Sequence, residues 1–340
     1  MTTSELCFYL AALHGTSGDE TAAATEIERL FAPFMQTEID TLGNVRATCG
    51  SGKTKILLDA HSDRIGLVVR GIDDGGFLLV SAVGGVDARV LVGSEVTVMG
   101  KQALPGVICA TPPHLLTSEQ KKEGVDIKKL AVDIGMDHDA AQQLVSVGDR
   151  VDFAANQHKL LGTRIAGSGF DDRCGVAALY LAAKEVCDKL HNCTLMVQCS
   201  VQEEVSGSGA KTGAFQADAD YAIAVDVGFG SDPYCDKTET IDLGKGPSIG
   251  IAPILDHALT QELIAVAKAN GIPYQHDVMD GRTGTNADQI QIARGGVKTA
   301  LLSIPLRSMH TPVEVIDTED IEQTAALLAA WILQKEAQSA

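Results

Sequence analysis

Two histidines and several carboxylates stand where buried strands end, and these are the residue types that bind divalent metal and activate water. The run KILLDAH ends on His61, with Asp63 two residues further on. LMVQCSVQ leads into Glu203 and Glu204, YAIAVDV carries Asp226, and ALLSIPLRSMH runs to His310. In open α/β sheets ligands bind outside the carboxyl ends of the strands, so these positions are expected to converge. Asp171 and Asp172, in GSGFDDRCG, open a helix whose free amide groups and dipole favour carboxylates.

The mixed nitrogen and oxygen donor set suits zinc best, with cobalt and manganese as alternatives; calcium and magnesium would have little use for the imidazoles. Two divalent ions facing Asp171, Glu204 and Asp226 leave a net charge of about +1, which one hydroxide would neutralise. A metal lowers the pKa of its water from about 16 to about 7, so metal would dominate nucleophile generation. A general base adds about 10²- to 10⁴-fold, and Glu203 is the spare carboxylate placed to supply it. Taken singly, each residue has a structural reading: a hydrogen-bonded strand-end histidine, a solvated acidic turn, a capping aspartate. Their joint appearance at successive strand ends favours a dinuclear hydrolytic site.

The elements that must position these groups are legible from periodicity. Ser4–Leu13 and Glu20–Phe34 carry apolar residues at helical spacing around the turn cluster GTSGD, and Lys55–His61 is a continuous apolar strand. From about Val68 to Leu160, short β-type runs alternate with glycine clusters such as DDGG and VGGVD, as in a small all-β insert. Helical spacing returns over Asp172–Leu190, strands over Thr194–Gln202, Tyr221–Val227 and Thr299–Pro305, and helices over Leu259–Ala269, capped by Thr260, and Thr318–Lys335. The expected class is α/β, with residues 1–67 and 161–340 forming a mixed-sheet α/β/α domain around the β insert at 68–160.

A chain of 340 residues with net charge −18 is an improbable partner for nucleic acid or an anionic membrane. No window is long and apolar enough to span a bilayer, and the N-terminus has no basic export-type region. Eight cysteines without a CxxC spacing point to reduced thiols in a cytoplasmic protein.

These stretches resemble the tetrahedral aminopeptidases, a branch of the dinuclear zinc aminopeptidases that includes glutamyl- and leucyl-specific enzymes. The resemblance covers nearly the whole chain through AHSDRIG, GFDDRCG, VQEEVSGSGA, AVDV and IPLRSMHTPVEVID. It implies that Asp171 bridges two ions, with Glu204 and His310 completing one site and His61 and Asp226 the other. It further implies that Asp63 orients His61, that Glu203 is the base, that the Asp171–Asp172 peptide is cis, and that the β insert supports a twelve-subunit assembly. Short peptides would be the substrates. Ser62, Arg64 and Asn286 stand where relatives commonly have Met, Glu and Asp, departures expected to alter the pocket or its selectivity.

The nearest chemical rival is a deacylase or carboxypeptidase on a similar centre. An endoglucanase is weaker, since one tryptophan and 4% aromatic residues offer few sugar-stacking platforms. A non-catalytic, metal-stabilised assembly protein would need neither Glu203 nor Asp63.

Overall fold

Nearly continuous burial along four parallel strands builds the centre of the molecule, here described from a computed structural model covering residues 1–119, 124–233 and 235–340. The strands lie in the order Cys193–Ser200, Thr54–His61, Tyr221–Phe229, Lys298–Arg307, all parallel to their neighbours. Side chains on a strand alternate between faces. Thus Ile56, Leu58, Ile223, Val225, Leu302 and Ile304 join one apolar cluster, while Leu57, Ala222, Ala224 and Leu301 join another on the opposite face. The first is covered by the helices Thr3–Ala11, Thr21–Phe31, Arg173–Val186, His257–Asn270 and Thr318–Gln338. The second is alanine-rich and is covered by Ser208–Ala217 and Ala287–Ile290. Antiparallel strands flank the parallel centre on both sides, giving a mixed sheet of eleven strands in an α/β/α sandwich.

Strand pairing sets the ends level. His61 lies opposite Ser200, and Asp226 opposite Ser303, so the chemistry-bearing residues emerge at one edge of the sheet. The closing helix follows the sequence expectation: Asp317 caps it by accepting from the Glu319 amide at 3.1 Å, with acids in its first turn and Lys335 in its last.

The β insert is a closed six-stranded barrel running from Gly66–Ile72 to Arg150–Phe153, with Leu67, Val69, Leu78, Val98, Val132 and Val151 in its interior. Closure leaves no unpaired sheet edge. No helix among the described residues is long and apolar enough to cross a membrane.

Two expectations are corrected. The helix expected at Leu259 begins at His257 and is capped by Asp256, which accepts from the Leu259 amide at 2.8 Å; Thr260 is buried inside it. Aspartate is the better cap because its carboxylate reaches the free amides. The cysteines are not all reduced: Cys49 and Cys187 are joined in a disulfide, since the Val45–Gly50 strand brings Cys49 beside the end of the Arg173–Val186 helix.

An N-terminal loop fastens the barrel to the sandwich. His14 sits between Asp152 of the barrel, at 2.7 Å, and Asp19, at 3.0 Å, and Thr16 donates to the other oxygen of Asp152. Burial would lower the His14 pKa, but Asp152 and then Asp19 outweigh it, so the imidazole is held above its ordinary value; Asp152 is held below its own. The stability this raised pKa contributes is fully present below the ordinary histidine value and is lost as pH rises through the raised one. His14→Ala is therefore expected to lower stability by about 1–3 kcal/mol at pH 6 and by less at pH 9. Urea titrations of both proteins at the two pH values check this; an equal difference at both would remove the ion pair as its source.

Candidate metal centre

Asp171 stands between two imidazoles. Its Oδ1 lies 3.1 Å from His61 Nε2, and its Oδ2 lies 3.5 Å from His310 Nε2. Asp226 Oδ1 approaches the same His61 nitrogen at 3.8 Å, and Glu204 Oε2 approaches the same His310 nitrogen at 3.3 Å. Two groups result, His61–Asp171–Asp226 and Asp171–Glu204–His310, each with donor atoms within 4.8 Å of one another and with Asp171 common to both.

Local backbone explains these positions. The Asp171–Asp172 peptide is cis, and Asp172 caps the following helix by accepting from the Gly175 amide at 3.1 Å. Gln202 and His310 both take positive φ, 60° in each case, a region that non-glycine residues enter rarely. The first reverses the chain just before Glu203 and Glu204. The second turns His310 back over the sheet, three residues beyond the last residue of its strand, Arg307.

The supporting shell is mostly carboxylate on amide. Asp63 accepts from the Glu203 amide at 3.0 Å and from the Glu204 amide at 3.2 Å, and its carboxylate is 3.5 Å from His61 Nδ1. The nearer partner of that nitrogen is the Asp63 carbonyl, at 3.0 Å. Glu314 accepts from the Phe170 amide at 2.6 Å and contacts the Asp171 amide at 3.4 Å. Arg173, fully buried, donates to Ser62 O and, at 2.6 Å, to Leu10 O, tying the first helix beneath the centre.

Electrostatics make the need for cations plain. Burial, followed by repulsion from Asp171, raises Glu204 well above the ordinary carboxylate range; burial also raises Asp226, against the pull of His61, with Glu203 and Asp171 adding repulsion. Burial pushes Glu203 up to about 7 and Glu314, with repulsion from Asp171, up to about 8. Glu204 Oε1 is buried without a hydrogen-bond partner among the described residues. An orphaned carboxylate oxygen, two imidazoles and three clustered acids fit divalent cations, which would reverse each of these penalties.

All seven sequence-selected residues lie at this end of the sheet, whereas His114, His138, His257 and His276 belong to neither group. His138 Nδ1, for example, bonds Asp73 O at 2.7 Å. Cys174 is buried packing. The three departures all have their side chains bonded within the scaffold. Ser62 donates to Ser200 O at 3.0 Å, Arg64 donates to Ser168 Oγ, and Asn286 Nδ2 donates to Asp59 Oδ2 at 2.8 Å; all three side chains are buried in the scaffold. Sequence reading also passed over Glu314 and Arg173 as individuals, although both fall inside quoted motifs.

Residues 43–327 match the M42 glutamyl aminopeptidase family. A lysyl aminopeptidase of Pyrococcus furiosus is 36% identical over 304 residues, 87% of this chain and 86% of the relative. An aminopeptidase from the archaeon Desulfurococcus kamchatkensis superposes with a TM-score of 0.91 at 34% identity, covering 98% of this chain and 94% of that one. The Pyrococcus horikoshii TET1 peptidase, which can assemble into a tetrahedron or a large octahedral shell, gives 0.85 at 34% identity, covering 97% and 98%. The chain belongs to the M42 family and is a metal-dependent aminopeptidase.

Gly84 and Gly85, in the barrel's VGGVD cluster, complete the surround. A Cβ on Gly85 would lie 2.7 Å from His310 Nδ1, closer than such contacts occur, whereas one on Gly281 would meet nothing within 4 Å. Gly85→Ala is expected to displace His310 and weaken metal retention by about 10- to 100-fold, with Gly281→Ala as the neutral control. Metal content after graded chelator dialysis measures this; equal retention by both variants would show that the glycine does not set the histidine.

Proposed function

We propose that the protein removes N-terminal residues from short peptides at a dinuclear centre held by His61, Asp171, Glu204, Asp226 and His310. The observation that carries this reading is the single carboxylate of Asp171 facing two separate imidazole–acid groups through its two oxygens. Zinc suits this donor set, with cobalt and manganese as alternatives. Bound ions would polarise the scissile carbonyl and acidify the attacking water.

The remaining work falls to protein groups. Glu203 takes the proton from the attacking water and later delivers it to the leaving amine. Asp63 acts at a distance: its carboxylate holds the Glu203 and Glu204 amides while its carbonyl fixes the ring of His61. Glu314 does the same for the Asp171 backbone.

The proposal extends to a homo-oligomer of twelve subunits, supported by the assemblies formed by the P. horikoshii TET1 peptidase, with the closed barrel as the contact module. A cytoplasmic setting is included; the free thiols of Cys7, Cys109, Cys174, Cys193, Cys199 and Cys235 speak for it, and the Cys49–Cys187 bond against it.

Metal analysis of the purified protein is expected to give about two ions per chain, and chelator treatment to abolish turnover until zinc, cobalt or manganese is restored. Glu203→Gln is expected to keep its metal while losing about 10²- to 10⁴-fold in kcat. Near-normal turnover by that variant would remove Glu203 from the role of base. Acetylated peptides cleaved as fast as free ones would favour the deacylase alternative.

A further inference from the structure

Directly beyond Asp226 the same strand enters the wall of a cavity of about 610 Å³, formed in part by Val227, Gly228 and Phe229. Ser303, the register partner of Asp226 on the neighbouring strand, also lines it. The cavity therefore adjoins the metal centre through the backbone that carries one of its proposed ligands. Its volume falls in the range of small-molecule sites, about 300–1,000 Å³.

The lining has two chemical parts. Val278, Met279 and Leu301 supply apolar surface, whereas Asp236, Glu239 and Asp277 supply carboxylates, and no lysine or arginine lines the cavity among the described residues. The three acids are not equivalent. Asp236 is committed to its own turn, accepting from the Thr238 amide at 2.9 Å and its hydroxyl at 2.8 Å. Neither Asp277 nor Glu239 has a side-chain hydrogen bond or ion pair among the described residues. Asp277 is half-buried on the Gln275–Val278 strand, and burial alone raises its carboxyl above the ordinary value. A carboxylate withdrawn from water and left without a partner is destabilised, and an incoming cation would relieve it.

We propose that this cavity receives the side chain of the substrate's N-terminal residue and that Asp277, aided by Glu239, selects lysine and arginine. The inference rests on the aminopeptidase reading above and adds the substrate class. A lysine or arginine places an apolar stem along the Met279 and Leu301 surface and its charged head among the acids, the division that such side chains favour. A glutamate side chain would bring a fourth negative charge into the same space. A leucine would fill the apolar part and leave Asp277 unpaired.

The test compares kcat/KM of the metal-loaded, full-length protein on lysyl, arginyl, leucyl and glutamyl anilides. Wild type is expected to favour the two basic substrates over leucyl by about tenfold or more, and over glutamyl by a wider margin. Asp277→Asn is expected to lose about tenfold on the basic substrates, mainly through KM, with leucyl turnover held within about threefold and Asp277→Glu restoring the preference. Retained leucyl turnover also shows that the variant is folded. A wild-type preference for leucyl or glutamyl substrate, or an equal loss on all four in Asp277→Asn, would overturn the selectivity assigned to Asp277 while leaving the aminopeptidase reading intact. Turnover of none of the four would overturn that reading and this inference with it.

Discussion

Buried negative charge is the constraint on which the rest depends. Asp171, Asp172 and Asp226 are buried at one sheet edge, beside the part-buried Glu203 and Glu204, with His61 and His310 the cationic side chains in direct contact among the described residues. Removing a carboxylate from water without a partner costs several kcal/mol, so these acids tend to take up protons when alone and can stay charged together where cations bind them. Much of the nearby polar bonding serves that end. Amides are turned toward Asp63 and Glu314, and the guanidinium of Arg173 is spent on backbone carbonyls rather than on the acids. The acids are thereby aimed without being neutralised.

The sandwich was largely legible because its signals are strong and local. Thr54–His61, Tyr221–Phe229 and Lys298–Arg307 are apolar runs with charged or polar residues at their carboxyl ends, and a parallel sheet collects such ends at one edge by construction. The closing helix was readable from its dipole-matched charges. What stayed hidden was set by tertiary pairing. His14 has no motif around it, and only the folded chain brings Asp152 within 2.7 Å. Cys49 and Cys187 are distant in sequence and become neighbours only when strand and helix pack. The bonding of Arg64 and Asn286 was hidden for the same reason: a departure from a family pattern shows that a residue differs, not which way its side chain points.

The barrel is more than an appended module. Its VGGVD cluster reaches the centre, where the absent side chain of Gly85 makes room for the His310 ring, while Asp152 and Phe153 grip the loop and Arg64 on the other side. Any rotation of the barrel against the sandwich would be felt at His310 first. Of the proposed metal residues His310 is also the most exposed, with 34% of its side chain accessible, so one half of the centre is more open than the other.

The wide spacing of these residues along the chain gives the site a history as well as a shape. His61, Asp171 and Asp226 have all been synthesised by residue 226, whereas the second group waits for His310, near the end of the given sequence. Chains emerge from the ribosome amino-terminus first and fold as segments become available. The residues of the two groups are therefore synthesised in a fixed order, and a chain cut short before residue 310 would hold all three residues of the first group while lacking His310 of the second.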